Sequence, residues 1–149
     1  MLRLITLTLI VLLFVGCASP ADRLLALDEA ELREVSDAEI LQALIGHRAG
    51  IPNREFTPWD RHTLPERLLQ EGVRRGFWLE EDLPLIRREA IRIGMSEKAL
   101  LASRGHRSFR QNHTTTEHGR RTQWVFNPHF PRLTYYVYTE GGKIVAIQN

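Results

Sequence analysis

The chain has 149 residues, with 20 lysines and arginines against 18 aspartates and glutamates and a single cysteine. A net charge of +2 with no basic cluster on one face is no argument for nucleic-acid binding, and a lone cysteine cannot form a disulfide within the chain. The length allows one domain with a packed core, not two independent cores.

Arg3 precedes an apolar run over residues 4–15, broken only by Thr6 and Thr8. Crossing a bilayer core takes about 20 apolar residues; about 12 suit the h-region of a secretory signal behind a positive start. Residues 1–16 are therefore predicted to be a signal peptide, which leaves about 130 residues for the fold. Phe14-Val15-Gly16-Cys17 resembles a bacterial lipobox: an apolar residue, a tolerant position, a small residue at the scissile bond, then the cysteine that is lipidated and becomes the new N-terminus. The alternative is an ordinary signal peptide cleaved just after Cys17-Ala18-Ser19. The lipobox resemblance implies diacylglycerol and an N-acyl chain on Cys17, each buried methylene contributing about 0.8 kcal/mol to membrane anchoring. It also implies, because Ala18 rather than Asp follows, an outer-membrane protein facing the periplasm, with no thiol left for redox or catalytic work.

Residues 17–35 read as a tether with a short helix, Leu24, Leu25, Leu27, Leu32 and Val35 being scattered among charges. Ser36-Asp37-Ala38-Glu39 is a capping box. It opens a helix whose Ile40, Leu41, Leu44 and Ile45 lie at helical spacing, with Gly46 as its left-handed stop. Residues 49–62, with Pro52, Pro58 and Trp59, read as an irregular loop. Thr63-Leu64-Pro65-Glu66 is a second capping box with proline in the first turn; Leu68, Leu69 and Val73 form the apolar face of its helix and Gly76 ends it. Phe77, Trp78 and Leu79 mark a buried turn. A third helix is predicted over 82–93, with Leu83, Ile86, Ala90 and Ile93 facing inward. Ser96 then caps a short helix carrying Ala99, Leu100 and Leu101, which Gly105 stops.

Beyond Gly105 the period falls from helical to two. Residues 109–116 are Thr-rich and polar, as an edge strand is, and residues 117–120 are a turn. Thr122, Trp124 and Phe126 alternate with Gln123 and Val125. Residues 127–131 form a loop, since two prolines cannot sit in a central strand. Residues 133–139 are β-branched and aromatic, Gly141-Gly142 permits a tight hairpin, and residues 144–147 are the last strand. The expected fold is α+β: N-terminal helices, then a helix pair packed on an antiparallel meander of three or four strands. The expected organisation is a signal at 1–16, a tether at 17–35, a helical region at 36–83 and an α+β domain at 84–149.

Gly94-Met95-Ser96, Leu100-Leu101, Gly105, Gln123-Trp124-Val125-Phe126, Tyr136-Val137-Tyr138, Gly141-Gly142-Lys143 and Ala146-Ile147-Gln148 together resemble the BamE-like (SmpA/OmlA) superfamily over residues 84–149. That resemblance implies two helices paired with a small antiparallel sheet, an architecture shared with the β-lactamase inhibitor proteins. It also implies a small lipoprotein of the Gram-negative envelope that binds or scaffolds another protein in outer-membrane assembly or maintenance. The other function it suggests is an inhibitor or sensor that docks on a periplasmic enzyme through the sheet face.

Catalytic patterns are absent from the sequence. His113, Glu117 and His118 do not converge on a continuous strand as three zinc ligands must, so they read as polar strand and turn residues, with no metal. Ser103 lies in no Gly-x-Ser-x-Gly elbow, and Glu80-Glu81-Asp82 suit the N-terminal dipole of a helix. Neither an enzyme nor a cofactor is expected. Arginines 107, 110, 120, 121 and 132 accompany aromatics in or beside the sheet, a pairing that protein interfaces favour. The candidate partner-binding residues are Arg110, Arg121, Trp124, Phe130, Arg132 and Tyr136. The same surface would also suit anionic lipid headgroups or peptidoglycan. The competing reading is that the aromatics are core and the arginines a solvated rim.

Overall fold

The computed structural model describes residues 19–49, 64–105, 109–117 and 119–148. The expected signal peptide, Cys17, most of the 49–62 loop, Thr63 of the second capping box and His118 lie outside the described residues. Among the described residues no helix is long and apolar enough to cross a membrane.

Helix α1 (Pro20–Leu25) and helix α2 (Glu29–Glu34) each begin with a reciprocal capping box. Ser19 Oγ accepts from Asp22 N–H at 3.1 Å, and Asp28 Oδ1 from Glu31 N–H at 2.8 Å. Helix α3 (Asp37–Ala49) opens as expected, with Ser36 Oγ accepting from Glu39 N–H at 3.3 Å. It runs through Gly46 to Ala49 rather than stopping there, because nothing at Gly46 forces a left-handed φ.

The expected tether is corrected by this packing. Ala21, Leu24 and Leu32 are buried in the same core as Ile40, Leu44, Leu100 and Trp124. Besides this apolar packing, helix α4 (Glu66–Arg74) and the residue after it tie the ends of α1 and α2. The last carbonyls of a helix have no intrahelical donor. Arg67 donates to the carbonyls of Leu25 and Leu27 at 3.0 and 2.7 Å. Arg75 donates to those of Leu32 and Val35 at 2.8 and 2.6 Å. A rigid guanidinium fork suits such paired acceptors. Arg75 also binds Glu71 at 2.6 Å. Hydrogen bonds from Arg74 first, and then Arg75, hold the Glu71 carboxyl at about 2, well below its ordinary 4.5, against the opposing effect of burial.

Helix α4 begins directly after Pro65, and Glu66 in its first turn pairs with Arg87 at 2.7 Å. Gly76 closes the segment at φ +69, and Phe77 and Trp78 are buried behind it, whereas Leu79, expected to be buried with them, is exposed.

The helix expected over 82–93 is much shorter. A 3-10 turn (Glu80–Asp82) leads into α5 (Leu83–Arg87). Ala90 N–H then returns to Leu85 C=O at 2.8 Å and Glu89 N–H to Ile86 C=O at 3.2 Å, with Glu89 at φ +60. This is a Schellman cap with glutamate in the position that glycine usually takes. Leu83 and Ile86 are buried as expected, whereas Ile93 lies outside the helix and is exposed. Helix α6 (Glu97–Arg104) is capped by Ser96, whose Oγ accepts from Ala99 N–H at 3.0 Å and donates to the carbonyl of Phe77.

Strands β1 (Phe109–Thr116), β2 (Gly119–Phe126), β3 (Tyr135–Glu140) and β4 (Lys143–Gln148) form one antiparallel meander in the order β1-β2-β3-β4. N-terminal helices, a helix pair and a four-stranded antiparallel sheet are the architecture expected from the sequence. Thr122, Trp124 and Phe126 share a face with Val137 and Thr139, which stand opposite them in register, and with Ile144; all are buried. Two backbone bonds of 2.8 Å, Gly94 N–H to Ile144 C=O and Ile144 N–H to Met95 C=O, stitch the corner before α6 to the edge of β4. The Gly141-Gly142 turn takes φ +54 and +76, the left-handed pair that this two-residue hairpin requires.

Candidate functional site

The pleat sorts the candidate residues between the two sheet faces. Trp124 points to the helix side, is 4 % exposed and donates its indole N–H to Thr139 Oγ1 at 3.1 Å. It is a core residue, and the structure removes it from the partner-binding set. Arg110, Arg121 and Tyr136 lie on the opposite, open face. Arg110 and Tyr136 flank Val125 in one row beside the β2–β3 loop, whereas Arg121 is four residues along β2, about 13 Å away at strand rise. There it stacks over Tyr138 at 4.7 Å and faces Glu140 at 3.4 Å. Across all four strands of this face runs a hydrogen-bonded ladder. Asn112 donates to Gln123 at 2.7 Å, Gln123 to the Tyr138 hydroxyl at 2.9 Å, and that hydroxyl to Gln148 at 3.3 Å.

The β2–β3 loop carries Phe130 and Arg132. Asn127 takes φ +54, and its carbonyl accepts from Phe130 N–H at 2.9 Å and from Thr134 Oγ1 at 3.0 Å. Leu133 N–H returns to Phe130 C=O at 2.8 Å, closing a 3-10 turn (Pro131–Leu133), and Asn127 Nδ2 caps Leu133 C=O at 3.2 Å. This bonding turns two large apolar side chains outward: Phe130 is 61 % exposed and Leu133 65 %. Exposed Arg132 lies between them in sequence. Sequence reasoning missed Leu133 by assigning it to β3. The Phe-Pro-Arg-Leu spacing, with proline starting the turn, was the available signal.

On the helix side, beyond the start of α6, lies a cleft of about 640 Å³ lined by Glu97, His113, Arg120, Thr122 and Glu140 among others. Buried Thr139 links Trp124 to it by donating to the Glu97 carboxylate. His113 Nδ1 lies 3.2 Å from Thr122 Oγ1. Among the described residues no three His, Cys, Asp or Glu side chains are placed to hold a metal ion. Ser103 is buried and donates to the Ala90 carbonyl at 2.8 Å, a structural bond that joins α6 to the segment after α5.

Comparison of the chain with protein-family models, with curated proteins and with solved structures returned no match.

Proposed function

We propose that this chain is a non-catalytic, lipid-anchored envelope protein that binds or scaffolds another protein through its β2–β3 loop. The observation that carries the reading is the exposure of Phe130 and Leu133 on a loop whose own hydrogen bonds hold its backbone. A loop ordered before binding loses little entropy on docking, and each such side chain contributes about 1.5–3 kcal/mol when fully buried. Arg132 beside them, with Arg110 and Tyr136 in the adjoining row of the sheet, gives the aromatic and arginine content that interfaces favour. The resemblance of 84–149 to the BamE-like superfamily, and the lipobox ending at Cys17, support a place at the outer membrane, facing the periplasm. A role in outer-membrane assembly or maintenance follows from that resemblance.

The test is recovery of partners from detergent-solubilised envelopes with the wild-type chain and with Phe130→Asp and Leu133→Asp. The reading expects a defined protein with the first that is lost with both variants. Equal recovery in all three would overturn it. Cys17→Ala, assayed in parallel by intact mass, should lose the acyl mass and leave the membrane fraction.

A second reading, an inhibitor or sensor of a periplasmic enzyme, is favoured by the shape of the same loop. A short, internally bonded element bearing a protruding Phe130 suits insertion into a concave site. Under this reading the recovered partner is an enzyme whose activity falls when the wild-type chain is added.

A further inference from the structure

The cleft on the helix side of the sheet takes no part in docking through the β2–β3 loop. At about 640 Å³ it falls within the size range of small-molecule sites. Its floor is fixed from beneath. An indole N–H can only donate, so the Thr139 hydroxyl accepts from Trp124 and gives its single proton to Glu97 Oε1. Trp124 and Thr139 are both buried, so the Glu97 carboxylate is set in place before a ligand arrives, which lowers the cost of binding one. Across the floor His113 is braced in the same way, its Nδ1 lying 3.2 Å from Oγ1 of buried Thr122.

The capacity these groups leave unused defines the ligand. Among the described residues, Glu97 Oε2, His113 Nε2, the Gln111 amide and the Arg120 guanidinium have no hydrogen-bond or ion-pair partner, and all four residues line the cleft. The other two charges of the lining are matched with each other, Arg121 facing Glu140 at 3.4 Å. One unmatched carboxylate therefore stands on the β3 side of the cleft, and one unmatched guanidinium, with the imidazole, on the β1–β2 side. A simple anion would meet Glu97 and a simple cation would meet Arg120; a molecule carrying both charges at opposite ends is opposed by neither. Register gives the span. Thr139, which holds Glu97, stands opposite Thr122, and Arg120 lies two residues along β2. At about 4.8 Å between strands and about 3.3 Å per residue, Thr139 and Arg120 are about 8 Å apart. An extended dipeptide reaches about 7 Å, a single amino acid about half that.

We infer that this cleft binds a zwitterionic small molecule of dipeptide size, its ammonium on Glu97 and its carboxylate on Arg120 and His113. The site lies on the opposite face of the sheet from Arg110 and Tyr136 and goes beyond the loop reading.

The experiment titrates the full chain with three probes: the dipeptide Gly-Leu, its N-acetylated form, which has no ammonium, and its C-terminal amide, which has no carboxylate. Calorimetry measures affinity, and the indole N–H resonance of Trp124, assigned by its loss in Trp124→Phe, reports the place. Gly-Leu should bind and shift that resonance. Each blocked form should bind at least tenfold more weakly, the loss expected for one hydrogen-bonded charge. Glu97→Gln keeps an oxygen for Thr139 and should weaken Gly-Leu at least tenfold while leaving the acetylated form unchanged; Arg120→Gln should do the same with respect to the amide. No binding of Gly-Leu at millimolar concentration, equal binding of either blocked form, or binding that leaves the Trp124 resonance in place would each overturn the inference. Phe130→Asp should leave Gly-Leu affinity unchanged, so failure of the loop reading and failure of the cleft reading give different results.

Discussion

Replacing Gly72 by alanine tests the packing of α4 against the turn that follows it. A Cβ at Gly72 would stand 2.0 Å from Cζ2 and 2.5 Å from Cε2 of Trp78, where ordinary contact begins at 3.4 Å. The indole would have to retreat by about 1.4 Å to restore that contact. It has little room to do so, being buried and donating its N–H to Leu69 C=O at 3.1 Å. Overpacking of this kind costs about 1–3 kcal/mol, and loss of the indole bond about 1 kcal/mol more. The alanine's helix propensity returns about 1 kcal/mol, so Gly72→Ala should destabilise by about 1–3 kcal/mol. Gly46 lies inside α3 with nothing within 4 Å of its built Cβ. There the same substitution keeps only the propensity gain and should stabilise by about 0.5–1 kcal/mol. Urea denaturation measures both as shifts in midpoint at constant m-value. If Gly72→Ala stabilises as Gly46→Ala does, the indole is not seated on the α4 backbone and the packing argument fails.

Arg75→Met should destabilise by about 3 kcal/mol in the same assay, because it leaves the Leu32 and Val35 carbonyls and part of the Glu71 carboxylate without their donor. A loss below about 0.5 kcal/mol, the range of neutral surface changes, would mean that the guanidinium does not dock α2. The Glu71 carboxyl is depressed from 4.5 to about 2 in the folded chain. Its stabilisation is therefore present above pH 4.5 and lost as pH falls from there through 2. The stability of Glu71→Gln should fall less steeply than wild type across that window, and parallel curves would refute the assignment. Trp124→Phe removes the bond to Thr139 and should cost about 1–2 kcal/mol in stability. Partner recovery through the loop should stay intact, whereas loss of recovery at unchanged stability would return Trp124 to the interface.

The C-terminal half was legible because its signals are local. Gly141-Gly142 sets a hairpin by its own φ angles, Ser96 and Gly105 bound a helix within nine residues, and the alternation of Thr122, Trp124 and Phe126 names the buried face. That alternation already placed Trp124 with the core. The docked state of α1 and α2 was not legible, since it depends on Ala21, Leu24 and Leu32 meeting a core built from later elements, and on Arg67 and Arg75, about forty residues on, reaching back to carbonyls at their ends. Two capping patterns inside the expected tether, Ser19-x-x-Asp22 and Asp28-x-x-Glu31, were readable signals of helix starts. The end of α5 was hidden for another reason: helical apolar spacing continues to Ile93, while the chain leaves the helix through a left-handed Glu89 that propensity does not favour. At the candidate site, the residue types pointed to an interface, but which of them share a surface is a matter of sheet register. Register separates Arg121 from Arg110 and Tyr136.

Photocrosslinking from position 130 tests the proposed docking surface. A photoreactive phenylalanine derivative in place of Phe130, in the full chain within intact envelopes, should give one discrete protein adduct that Leu133→Asp abolishes. The same derivative at Arg33, exposed on α2, should give none. No adduct from position 130, or the same pattern from both positions, would contradict docking through the β2–β3 loop.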